Sequence, residues 1–185
     1  MSRIGYNRDG RKLGTILPEN EKKRRKDVYI KVVTCFVVDK TTGDVLLEKR
    51  TGKGLNPNEY DLVSGHIEGD EIGFHAMIRE LSEEVGIGID ESSCSLKKIQ
   101  EFTPVKFEVI GNYLVEFYCL LRKSKEGLKL QEEEVKNIEW KEMEEVFRML
   151  QEGETKFPKD FNYEEIFQKV RQMYQGKNEQ QASRE

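Results

Sequence analysis

Residues 65–87 read GHIEGDEIGFHAMIRELSEEVGI, and the second half of that stretch has helical spacing. At about 100° per residue, Glu80, Glu83 and Glu84 fall on one face of a helix predicted over residues 74–85. Phe74, Ile78, Leu81 and Val85 fall together roughly 140° away, as a predicted core-facing seam. Like charges at i, i+4 destabilise a helix by about 0.2–0.5 kcal/mol per pair. Closer crowding raises their pKa values unless a cation sits among them. Mg²⁺ or Mn²⁺, hard divalent ions that take oxygen ligands, suit such a cluster. On the helix alone, an ordinary solvated acidic face is the simpler reading.

The flanking residues change that balance. Gly65, Gly69 and Gly73 allow a tight loop before the helix, and Gly65 would let a backbone carbonyl approach an ion. Glu71 stands eight residues before Arg79, placed to pair with it across the loop. Gly86 follows the last helical residue, where a left-handed cap is expected.

Outward from this segment the pattern is mixed strand and helix. Residues 29–38 are rich in β-branched and aromatic side chains and read as a buried strand. TTGD at 41–44 is a turn, so 45–49 is expected to pair with 29–38 as a hairpin. Residues 51–59 form a loop. Further strands are predicted at 60–64, 96–103, 112–121 and 137–140, and helices at 141–151 and 163–174. Residues 1–27 are a polar leader in which 11–17 could be one arm of a small hairpin. Residues 22–26, KKRRK, read as a solvated loop or as a contact for a phosphorylated ligand or RNA. Residues 176–185 hold no large apolar side chain and are expected to be disordered. One α/β domain over 28–175 follows.

Composition sets the outer limits. The chain has 185 residues, enough for one domain with a core that needs no disulfide or metal staple. Charged residues make up 36% of it, against about 25% in an average soluble domain, yet the net charge is −4. A bulk basic surface for coating nucleic acid is thereby excluded, although a local basic groove is not. The longest apolar stretch, 32–38, is far short of the ~20 residues that span a bilayer, and no signal peptide is legible. Cysteines at 35, 94 and 119 read as free thiols in a reducing compartment, so a cytoplasmic location without membrane contact is expected.

Residues 65–87 resemble the signature of the Nudix hydrolases. That signature runs Gly, five residues, Glu, seven residues, then Arg-Glu-aliphatic-any-Glu-Glu-any-Gly-aliphatic. It is met from Gly65 and Glu71 through Arg79-Glu80-Leu81 and Glu83-Glu84 to Gly86-Ile87. The resemblance implies an α/β/α sandwich with a mixed β-sheet, with Trp140 at a strand-to-helix transition. It implies Mg²⁺- or Mn²⁺-dependent hydrolysis of a diphosphate bond in a nucleoside diphosphate linked to another group, and homodimers are common in the family. By the same resemblance, Glu80, Glu83, Glu84 and the Gly65 carbonyl hold metal, while Glu71 and Arg79 orient the helix.

Other positions are open between two roles. Glu116 breaks an otherwise apolar strand, and a lone charge there needs a partner; it is a metal ligand or general base, or a structural carboxylate. Glu83 is the alternative base. Arg50 and Lys53 are candidates for substrate phosphates, and His66 for a polar contact beside the metal. The segment YDLVSGH at 60–66 and the leader around residues 9–14 resemble the isopentenyl-diphosphate-isomerase-like branch of the family. True isomerases carry Cys before the Gly-His pair and several His ligands; here Ser64 takes that place and the chain has two His. Hydrolysis is therefore favoured over isomerisation. A 5′-end RNA pyrophosphohydrolase using residues 22–26 is the second enzyme reading, and a non-catalytic nucleotide sensor the third.

Overall fold

The computed structural model describes residues 3–17, 27–51, 59–89, 95–107 and 111–182, without the side chains of 15–17 and 177–182. The strands are β1 (Arg3–Tyr6), β2 (Lys12–Leu17), β3 (Tyr29–Asp39), β4 (Val45–Arg50), β5 (Tyr60–Asp61) and β6 (Val63–His66), followed by β7 (Leu96–Phe107), β8 (Gly111–Arg122) and β9 (Val135–Lys141). The helices are α1 (Gly73–Val85), α2 (Met143–Glu152) and α3 (Glu164–Ala182).

The apolar run in β3 is continuous because both its faces are covered. Ile30, Phe36 and Val38 pack with Phe117 and Cys119 of β8 and with α2 and α3. Val33, Cys35 and Val37 pack with Tyr118 and Leu120 of β8 and with Ala76, Met77, Leu81 and Val85 of α1. Helices thus cover both faces of one mixed sheet, the predicted α/β/α sandwich. Cys35 and Cys119 are free and buried, and their side chains lie in opposite layers; Cys94 is outside the described residues.

β3 and β8 pair in parallel from Tyr29↔Asn112 to Asp39↔Arg122. On the other edge of β3, β6 pairs antiparallel from Val32↔His66 to Cys35↔Val63. That contact limits the predicted hairpin: β4 meets β3 at Val38↔Val45 and then pairs with β9 and β5 instead. The strand expected at 60–64 accordingly divides at Leu62, with β5 on β4 and β6 on β3. The divergence of β4 from β3 brings Glu48, Asp61 and Ser64 to one end of the sheet.

The leader carries the expected hairpin, β1 with β2, and joins the main sheet at Tyr6↔Tyr29; residues 22–26 are outside the described residues. α3 continues through Ala182. No helix among the described residues is long and apolar enough to cross a membrane.

α1 ends as expected. Gly86 has φ +69°, its N–H donates to Ser82 O, and the Ile87 N–H donates to Leu81 O. A Cβ on Gly86 would stand 2.8 Å from Lys129 Cβ and 3.0 Å from its backbone nitrogen. Gly86→Ala should therefore lower the unfolding free energy by about 1–2 kcal/mol or more, read as a fall in the urea midpoint.

Candidate active site

The site is built where β6 turns into α1. Arg79, at the middle of the helix, ties the loop to it. Its Nη2 donates to Glu71 Oε1 at 2.7 Å and to the His66 carbonyl at 2.8 Å, and its Nη1 donates to Glu80 Oε1 at 2.8 Å and Glu83 Oε2 at 3.1 Å. Burial works against the guanidinium charge, but Glu71 and Glu80 outweigh it and raise the Arg79 pKa. Glu71 is burial-strained in the same way, yet Arg79 and the Glu68 N–H bring its pKa below the ordinary value. The predicted pairing of Glu71 with Arg79 is present.

The buried stripe of α1 is rotated from the predicted seam. Ala76, Met77, Leu81 and Val85 are buried, but so are Glu80 and Glu84, while Phe74 and Ile78 are only half-buried and Glu83 is exposed. Glu80 and Glu84 thus face the sheet end where Glu48 and Asp61 are also buried. The three glutamates of the helix do not share one solvent face. Local spacing places them within one turn, but the packing of β4, β5 and β6 decides which are covered.

Four buried carboxylates in one place have electrostatic consequences. Burial, then the repulsion of Asp61, raises the Glu48 pKa to about 8, against the pull of Arg50 and Lys156. Burial raises Glu80 to about 7, although Arg79 opposes it and Glu83 and Glu134 add repulsion. Burial pushes Glu84 well above the carboxylate range, helped by Glu48, Glu80 and Asp61. The Ser64 N–H donates to Glu84 Oε2 at 3.1 Å and partly offsets this. Asp61 Oδ2 accepts from Lys156 Nζ at 3.0 Å and Arg50 Nη1 at 3.4 Å. Glu48 Oε1 and Asp61 Oδ1 are buried and have no hydrogen-bond partner among the described residues.

A cleft of about 570 Å³ opens beside this group, and Glu80 and Glu84 reach its lining. It is lined by Gly65, His66, Arg79, Glu80, Glu83, Glu84 and Arg50, all candidates from the sequence, and also by Glu134 and Lys156. Lys53 lies outside the described residues. Among the described residues no three His, Cys, Asp or Glu side chains converge as a closed metal-ligand set. Arg79 stands between Glu80 and Glu83, and Glu84 turns to the Ser64 N–H. Glu48, Asp61 and Lys156 were missed in the sequence. Glu48 carried no such signal as Glu116 did, because it closes the short apolar run 45–47 and is followed by Lys49 and Arg50.

Glu116 is not brought to this cleft. It is 3% exposed and lines a second cleft, of about 510 Å³, on the other side of the loop before α1. Lys98 Nζ donates to its Oε1 at 3.0 Å and the Tyr118 hydroxyl to its Oε2 at 2.5 Å. The partner that a lone buried charge requires is thus a lysine and a phenol. Glu116 thus lines a different cleft from Glu80, Glu83 and Glu84, with a lysine and a phenol as its partners.

Gly65 is needed for space. A Cβ there would lie 1.8 Å from both Cδ and Oε1 of Glu80. Gly65→Ala would force the Glu80 carboxylate aside, and divalent-metal affinity should fall about 10- to 100-fold with the fold retained, measured by Mn²⁺ titration and circular dichroism.

The comparisons bear on the same region. A family model described as the NUDIX domain matches residues 28–162. The protein DR0079 of Deinococcus radiodurans has a similar structure, with a TM-score of 0.69 and 22% identity over 94% of this chain and 99% of that one. The Ap4A hydrolase of C. elegans aligns with a TM-score of 0.55 and 18% identity, over 80% of this chain and 96% of its own. The NUDIX domain of Shewanella oneidensis NrtR, crystallised with ADP ribose, aligns with a TM-score of 0.56 and 15% identity, over 84% and 92%. At such identities these likenesses establish the fold. No curated protein matches the chain.

Proposed function

Because the chain belongs to the Nudix family, we propose that it is a pyrophosphohydrolase acting on a nucleoside diphosphate linked to another group, with Mg²⁺ or Mn²⁺ held by Glu80, Glu83, Glu84 and the Gly65 carbonyl. The observation that carries this reading is the surplus of buried carboxylate beside the cleft, with Glu80 and Glu84 in its lining. Glu48, Glu80 and Glu84 all have raised pKa values, and a carboxylate oxygen of Glu48 and one of Asp61 lack protein partners. A cluster of hard oxygen donors that is costly to ionise unaided fits a hard dication.

A diphosphate repels an incoming hydroxide or the lone pair of an attacking water by its own charge, and a dication held by Glu80, Glu83 and Glu84 would supply charge neutralisation and Lewis acidity there. The residues of the chain do the rest. Arg79 and Glu71 lock the loop to α1, so the Gly65 carbonyl and the helix carboxylates hold a common frame. Glu83, whose side chain is 52% exposed at the cleft, would take a proton from an attacking water. Arg50 and Lys156, both on Asp61, set two cations on the rim to meet substrate phosphates. His66 lines the same cleft beside Gly65.

The Ap4A hydrolase and the ADP-ribose-bound domain support a nucleotide-type substrate. The RNA alternative rests on residues 22–26, outside the described residues, and no structural observation favours it. The free Cys35 and Cys119 fit a reducing compartment such as the cytoplasm. The test is a screen with Mg²⁺ or Mn²⁺ over nucleoside di- and triphosphates, nucleotide sugars, dinucleotides and 5′-triphosphorylated RNA, in ¹⁸O-water. The proposal expects two products cut at a phosphoanhydride with one ¹⁸O incorporated; no turnover of any member overturns it.

A further inference from the structure

The second cleft, of about 510 Å³, has the size of a small-ligand pocket and holds none of Glu80, Glu83 and Glu84 in its lining. The leader hairpin supplies one wall, through Tyr6 of β1, Gly10 of the turn and Lys12 of β2. Those residues precede the segment 28–162 that the family model matches. Lys12 pairs with Asp70 and so closes the hairpin onto the loop before α1. That loop divides the two clefts: Ile67 and Gly69 line both, and Glu71 lines the second while pairing with Arg79 of the first.

Lys31 of β3 lines this cleft with its ammonium between two aromatic rings. Its Nζ is 4.5 Å from the ring centre of Tyr6 and 4.6 Å from that of Phe102. A Cβ on Gly10 would stand 3.9 Å from its Cε and 4.0 Å from its Nζ, so the hairpin turn passes beside it. The rings attract the charge but give its three N–H donors no oxygen to bond. The acids of the lining are already engaged, Asp70 with Lys12, Glu71 with Arg79, and Glu101 and Glu116 with Lys98. Among the described residues no carboxylate forms an ion pair with Lys31. Burial lowers the Lys31 pKa, with Glu116 opposing and Lys12 adding to the effect. A partly desolvated ammonium, held in place and lacking an anionic partner, is a preformed seat for an oxyanion. Ile72, 58% exposed, and the half-buried Phe74 and Ile67 add apolar surface to the same lining.

We propose that the second cleft binds a small amphipathic oxyanion, a phosphate or carboxylate on a compact apolar body, with Lys31 meeting the anion and Ile72 and Phe74 covering the body. The proposal goes beyond the hydrolase reading and needs no metal.

The test is titration of the full chain, in EDTA, with phenyl phosphate, benzoate and inorganic phosphate, followed by calorimetry and by ¹H–¹⁵N chemical shifts. Phenyl phosphate or benzoate should bind saturably and shift the amides of residues 67–73. The stronger of the two identifies the anion as phosphate or carboxylate. Inorganic phosphate, which lacks the apolar body, should bind at least about 10-fold more weakly than phenyl phosphate. Lys31→Met should weaken binding about 10- to 100-fold, and Lys31→Arg less. Ile72→Glu changes an exposed side chain and sets a carboxylate beside the anion; it should weaken binding about 5-fold, whether or not Lys31→Met folds. Arg50→Met, in the first cleft, should leave binding as it is. Absence of saturable binding by either aromatic anion overturns the proposal. So does binding that Lys31→Met and Ile72→Glu leave unchanged, or that Arg50→Met weakens instead, because the anion then sits elsewhere. With no metal or substrate in the titration, failure here leaves the hydrolase reading standing.

Discussion

Glu83→Gln should lower kcat by about 10²- to 10⁴-fold while leaving the fold intact. Glu83 is the one carboxylate of the helix trio that meets solvent at the cleft, and its partner in the structure is Arg79 Nη1 at 3.1 Å. Arg79 keeps its contacts to Glu71, Glu80 and the His66 carbonyl in the variant, so the loop and helix stay joined. An exposed isosteric change of this kind alters stability by no more than about 0.5 kcal/mol. The amide can neither accept a proton from water nor carry the negative charge a dication prefers. Steady-state kinetics on the substrate found by the screen, with thermal unfolding as control, decides the matter. Near-normal turnover by Glu83→Gln would remove Glu83 from both the base and the metal roles.

Metal-free protein should be less stable at pH 9 than at pH 5.5, by on the order of several kcal/mol. Burial and mutual repulsion raise Glu48 to about 8 and Glu80 to about 7, and push Glu84 up as well. The folded state therefore holds protons that the unfolded chain has released above the ordinary glutamate value of about 4.5. Stability from these groups is fully present below that value and is lost as pH rises through about 7 and 8. Asp39 and Glu71, whose pKa values are lowered, act in the opposite sense, and their contribution disappears only on acidification below the ordinary carboxylate range. Urea unfolding in EDTA at the two pH values measures the difference. Glu48→Gln should remove a large part of it, and added Mg²⁺ should stabilise the protein more at pH 9 than at pH 5.5. A flat profile, or greater stability at pH 9 in EDTA, would mean that the carboxylates are not crowded as described.

Much of this site was legible because its logic is local. The spacing of Gly65, Glu71, Arg79 and Gly86 specifies a loop, a tether and a cap that depend on residues within one supersecondary unit, and all are found. Apolar, β-branched and aromatic runs likewise located β3 and β8, whose two faces are both buried. What periodicity could not show was which helix residues are covered. Glu80 and Glu84 are buried because β6 takes the edge of β3 and diverts β4 toward β9, which places Glu48 and Asp61 beneath them. That is a tertiary choice between strand partners, with no trace in the spacing of α1. Glu116 shows the same limit from the other side. Its isolation in an apolar strand correctly signalled a partnered charge, but the partner is set by register: Glu116 sits opposite Val33 on β3 while β7 supplies Lys98.

The buried acidic cluster should bind a hard dication at the cost of its own protons. Calorimetric titration of Mn²⁺ into the full chain at pH 7.5, repeated in buffers of different ionisation enthalpy, measures uptake and proton release together. The account predicts saturable binding accompanied by proton release, with both reduced in a Glu80→Gln, Glu84→Gln double variant. Absence of Mn²⁺ uptake, or binding that the double variant leaves unchanged, would contradict it.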